Sequence, residues 1–159
     1  MTVLVAREIE AISDADILGW AVRHVAPSTY AEDADYLQLV RSNPRDTISV
    51  ENAQGHLRSL IARRLSDFDD KSEQAREIAR KLFLRRIRSY LDGEIQPIQV
   101  CLMVSPIEDK CDYPSWLGDL YDGCDGMDQN ATREQASHLR WMIEKVLTEN
   151  TEPQPSGSE

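Results

Sequence analysis

Four aspartates, Asp119, Asp122, Asp125 and Asp128, recur at every third position near the end of this 159-residue chain. Any helical or turn geometry would set several of them near one another, and clustered oxygens are what a hard divalent cation requires. The stretch lacks the alternating ligand order and the closing glutamate of a helix-loop-helix calcium site, so no metal ligand is assigned. The plain alternative is a solvated acidic turn. The functional one is an electrostatic lure for a basic partner, which would speed association more than raise affinity. Trp116, Leu117, Leu120 and Tyr121 follow Pro114 in the same segment, spaced like one face of a short helix. Such side chains fill a core or form an aromatic rim that anchors a partner. Trp141 lies beside the apolar stripe of the last expected helix, as an edge of the core or as a contact residue.

Other chemistries find little material. His24, His56 and His138 are isolated in sequence, with none in an HExxH spacing. Gly118, Gly123 and Gly126 interrupt acidic sequence, which repels phosphate rather than cradling it. No carboxylate pair is singled out for acid/base work. The reading is therefore a non-enzyme with no catalytic residue and no cofactor. Cys101, Cys111 and Cys124 are an odd count, ten and thirteen residues apart, matching neither a disulfide framework nor paired zinc ligands. Reduced thiols in a cytoplasmic protein are the expectation.

Composition narrows the partners. The net charge of -10 disfavours phosphate backbones and anionic membrane surfaces, and favours basic proteins. The charge is unevenly spread. Residues 1–49 carry eight acids and four bases, residues 50–99 eight and ten, and residues 100–159 twelve and four. The basic middle comes mainly from Arg80, Lys81, Arg85, Arg86 and Arg88 on the outer face of a long helix. Without aromatic interleaving or a nucleic-acid-binding motif, it reads as a solvated face. No stretch approaches the roughly 20 apolar residues of a membrane span. The start, MTVLVAREIEAIS, has acids where a signal peptide needs bases before a longer apolar run.

The elements that must position these residues are mostly helical by apolar spacing. Ser13 and Asp16 can cap a helix carrying Ile17, Ala21, Val22 and Val25, closed by Pro27. Residues 30–42 form a second, with Tyr36, Leu37 and Val40 inward, stopped by Asn43-Pro44. Residues 50–65 form a third, with Val50, Ala53, Leu57, Leu60, Ile61 and Leu65 on one face. The longest covers about 70–91 and ends at Asp92-Gly93. Pro97 opens a short apolar helix over 98–104 that stops around Pro106. A final helix starts at the Thr132/Gln135 capping box and turns Leu139, Met142, Ile143, Val146 and Leu147 inward. Only residues 2–5 and 47–50 are candidates for brief strands.

Residues 93–128, with QPIQVCLMVSPIEDKCDYPSWLGDLYDGCDGMD, combine a proline-led helix, an I-E element and a Y-P-x-W-L-G-x-L-Y-x-x-C-D signature. This run resembles the C-terminal part of small cytoplasmic immunity proteins encoded beside polymorphic or contact-delivered bacterial toxins. The resemblance covers residues 93–128, within the C-terminal part of the chain. One departure is Gly126, where that type carries a bulky aromatic, so this corner is expected to pack differently. The resemblance implies a bacterial protein that neutralises a cognate toxin by tight binding, with no reaction of its own.

Together these readings predict an all-α, single-domain bundle of about six helices over residues 1–149, followed by a disordered polar tail over 150–159. The expected partner is a toxin with a basic active-site surface, bound through Trp116, Asp119, Tyr121, Asp122, Asp125, Asp128 and Trp141. Nucleic acid and membrane are not expected partners, and the oligomeric state stays open. Two alternatives remain beside the inhibitor: a non-catalytic adaptor or regulatory module, and a divalent-metal-dependent hydrolase using the aspartates.

Overall fold

The computed structural model describes residues 1–24, 32–65, 67 and 69–150. Among these the chain is all-helical, with eight α-helices, one 3-10 turn and no strand. It divides into two compact units, Met1–Leu82 and Phe83–Glu159.

The first unit begins with α1 (Thr2–Glu8), α2 (Asp14–Arg23), α3 (Ala34–Arg41) and α4 (Thr47–Arg64), and takes in the first half of α5 (Glu73–Leu91). Its core joins Leu4 of α1, Ile17, Leu18 and Ala21 of α2, Tyr36 and Leu39 of α3, and Ala53, Leu57, Leu60 and Ile61 of α4. The expected capping box is present: the Ser13 hydroxyl accepts from the Asp16 amide, and the Asp16 carboxylate accepts from the Ser13 amide at 2.8 Å. Asp33 caps α3 by accepting from the amides of Asp35 and Tyr36. Val25, Pro27 and Tyr30 lie outside the described residues.

Charged pairs ring this core. Arg7 holds Asp14 through two bonds of 3.0 Å, and Arg58 reaches both Glu8 and Asp70. Arg63 bridges Asp33 and Asp35, and His56 Nδ1 lies 2.7 Å from Asp35. The Arg63 guanidinium holds the Asp33 carboxyl below its ordinary range, and the bonds from His56 and then Arg63 do the same for Asp35.

The second unit contains the rest of α5, then α6 (Pro97–Cys111), the 3-10 turn Ser115–Leu117, α7 (Leu120–Gly123) and α8 (Arg133–Glu149). Phe83, Ile87, Val100, Met103, Val104, Ile107, Leu117, Leu120, Leu139, Ile143 and Val146 are buried. The Tyr90 hydroxyl donates to the Ala136 carbonyl at 3.0 Å, fixing α5 to the start of α8. Thr132 and Gln135 form the expected capping box, and Asn150 closes α8.

Several expectations are corrected. Residues 2–5 and 47–50 are helical rather than strands. β-branched runs look strand-like in isolation, but packing and capping override that preference: α1 buries Leu4, Val5 and Ala6, and the Asp46 carboxylate accepts from the Ile48 amide as the cap of α4. The short helices α1 and α7 raise the number from about six to eight. Pro106 does not stop α6, which runs on to Cys111; proline removes one amide from the ladder, and here the buried face Val100, Met103, Val104 and Ile107 holds the helix through it. Val22 and Leu65, expected inward, are exposed.

Candidate partner-binding site

The site is assembled by a reversal of the chain between α6 and α7. The Gln96 amide donates to the Gln99 side chain at 2.8 Å, and Pro97 occupies the first turn of α6, where no amide is needed. At the far end Asp112 and Tyr113 both take left-handed conformations, with φ of 60° and 53°. This turns the chain into Pro114 and the 3-10 turn. Gly118 then adopts φ 58° and ψ -143°, a backbone that side chains disfavour, and so starts the chain toward α7.

Leu120 and Gly123 are the buried side of α7, which packs on α8. The opposite side carries Tyr121, 58% exposed, and Asp122. Across from Tyr121, α6 presents Leu102, 54% exposed. Between them lies an open slot of about 260 Å³, with Ile98, Leu102 and Ser105 on one wall and Tyr121, Asp125 and Met127 on the other. Gly126 also lines it, at a φ of 65°. The Cys101–Cys124 disulfide forms part of its wall.

That bond corrects the expectation of reduced thiols: Cys101 and Cys124 are 23 residues apart and joined, while Cys111 is in no disulfide. Sequence spacing carried no sign of it, because the turn of the chain at 112–118 sets the two cysteines side by side.

The expected contact residues separate into three groups. Tyr121 and Asp125 meet at the slot, with Asp122 on the same short helix. Among the described residues Asp122 and Asp125 have no ion-pair partner. Asp119 lies 3.8 Å from Lys145, and Asp128 accepts from the Asn130 amide at 2.6 Å. Trp141 is 58% exposed on α8, its ring stacked on His138 at 6.0 Å, one turn from Lys145. Trp116 instead turns inward: it is half-buried, its ring 6.0 Å from Phe83, and its carbonyl accepts from the Asn150 side chain.

Leu102 is a rim residue that was not expected from the apolar spacing. The signal was present, because Val100 to Val104 is apolar without a break and one face of a helix cannot bury five consecutive residues. Among the described residues no group of three or more His, Cys, Asp or Glu side chains is placed to hold a metal ion. The four aspartates at three-residue spacing are all exposed. A second cavity, of about 450 Å³ in the first unit, is lined mainly by apolar residues including Val3, Trp20, Leu57 and Leu60.

The chain matches no protein-family model, no curated protein and no solved structure. Among the described residues no helix is long and apolar enough to cross a membrane.

Proposed function

We propose that this chain is a non-catalytic inhibitor of the bacterial immunity type, acting in the cytoplasm by binding a basic protein toxin through the α6–α7 face. One observation carries the reading: a slot edged by the exposed Leu102 and Tyr121 sits beside two carboxylates, Asp122 and Asp125, that have no internal ion-pair partner among the described residues. Such a surface suits a partner that inserts an apolar side chain flanked by lysine or arginine. The carboxylates would steer the encounter, and the desolvated slot would hold the complex. A basic active-site groove on a nuclease or nucleotide-using toxin has that chemistry. The resemblance of residues 93–128 to immunity proteins supports the same assignment.

The test is co-expression with the product of the neighbouring gene. Growth arrest by that product alone, rescue by this chain and a stable complex of the two are the expected results. Asp122→Lys with Asp125→Lys should slow association and abolish rescue at ordinary salt. A neighbour that is harmless, or a complex indifferent to both charge reversals, would sink the reading and move an adaptor role ahead.

A further inference from the structure

We propose that the Cys101–Cys124 bond is a redox latch on the α6–α7 slot, so that the thiol state of the protein sets whether the slot is formed. The inference rests on the partner-binding reading above and concerns regulation of that same site.

Position is the first argument. Cys101 belongs to α6 and Cys124 caps α7, so the bond ties together the two walls of the slot. Both cysteines are part-exposed and line the open cavity, which gives a reductant access to the sulfurs. Their neighbours in sequence, Leu102 on one side and Tyr121 and Asp125 on the other, are the rim residues themselves.

The second argument is that the wall's other hold is mainly on α8 rather than on α6, through the buried Leu120 and Gly123. α7 is four residues long, well below the length at which a helix is stable without outside support. The bonds Asp122 amide to Asp119 carbonyl, Cys124 amide to Tyr121 carbonyl, and Met127 amide to Cys124 carbonyl are local turns. The covalent tie closes a 23-residue span that includes the left-handed turn, the 3-10 turn and α7. Cutting it returns chain entropy to that span. Leu120 and Gly123 still anchor the far side of α7 on α8, so the slot opens while the helical unit persists. In the cytoplasm assigned above, such a bond is transient and sensing rather than structural, so the slot would be formed only while the protein is oxidised.

The exchange is balanced with a dithiol reductant. One of its thiolates attacks a sulfur of the Cys101–Cys124 bond, forming a mixed disulfide and releasing the other cysteine. The second reductant thiol then displaces the remaining cysteine. Cys101 and Cys124 gain two electrons and two protons, and the reductant leaves as its own disulfide.

The test uses the full chain carrying Cys111→Ser, to prevent reshuffling, in oxidised and dithiothreitol-reduced forms. Alkylation with mass spectrometry establishes the bond state. Amide hydrogen exchange then reports opening, and binding of the purified neighbouring-gene product reports function. Reduction should speed exchange over residues 120–127 by about tenfold or more, with residues 139–147 of α8 unchanged, and should weaken binding by a similar factor. Cys101→Ser with Cys124→Ser should behave like the reduced form, and chemical reduction gives the same reading should that variant not fold. Unchanged exchange at 120–127 overturns the latch. So does loss of protection throughout α8, the mark of a structural staple, and so does equal binding in both states. Binding in neither state, with the exchange difference intact, overturns the partner reading instead.

Discussion

Gly123 packs so closely on Met142 that a Cβ at position 123 would overlap the Met142 sulfur. This contact seats α7 on α8.

Gly123→Ala adds a methyl where there is no room, at an overpacking cost of about 1–3 kcal/mol, against a helix-propensity gain of about 1 kcal/mol. A net loss of stability is expected in the natural sequence. In a Met142→Ala background the overlap is gone, and the same exchange should become neutral or stabilising. Urea denaturation of the four proteins checks this reversal of sign.

The two tryptophans near the site should respond differently. Trp116→Ala removes a half-buried ring beside Phe83 and should cost about 2 kcal/mol or more of folding stability. Trp141→Ala, on an exposed ring, should stay within about 0.5 kcal/mol. If Trp141 is an anchor, its loss appears in affinity for the neighbouring-gene product, at about 2 kcal/mol or more. Thermal melts and calorimetric titration of both variants separate support from contact.

Acid should weaken the first unit through Asp33 and Asp35. Arg63, and for Asp35 first His56, hold these carboxyls below the ordinary range. Their contribution is therefore complete above the unfolded carboxylate pKa and is lost as pH falls through the lowered folded values. Arg63→Ala removes the largest cause at Asp33. Stability measured by urea from about pH 5 to about pH 3 should fall less steeply in that variant than in the natural protein.

Tyr36 provides a buried polar test. Its hydroxyl donates to the Ala21 carbonyl at 3.1 Å, joining α3 to α2. The same carbonyl also accepts from the His24 amide at 3.2 Å, so it retains a partner when the hydroxyl is removed. Tyr36→Phe should cost about 1 kcal/mol in chemical denaturation.

Much of the helical framework was legible because its signals are local. The capping boxes Ser13/Asp16 and Thr132/Gln135 form where the residue types predicted them. All five apolar positions expected inward on α8 are buried. Where local preference and packing disagreed, packing won: residues 2–5 and 47–50 became helical, and α6 continued past Pro106. Short helices were the hardest to see, since four residues of α7 carry no full period of apolar spacing.

The sequence by itself determined an all-helical, acidic chain, the ends of its capped helices, and a stretch in which aromatics and aspartates alternate. These follow from spacing, caps and charge, which act over a few residues. Only the tertiary structure decided which of those residues share a surface. It turned Trp116 toward Phe83 and left Tyr121 out, set Asp119 beside Lys145, exposed Leu102, and joined Cys101 to Cys124. The left-handed turn at Asp112 and Tyr113 lies between the joined cysteines, and α7 packs against α8. They bring together residues about twenty positions apart, and no local pattern encodes that juxtaposition.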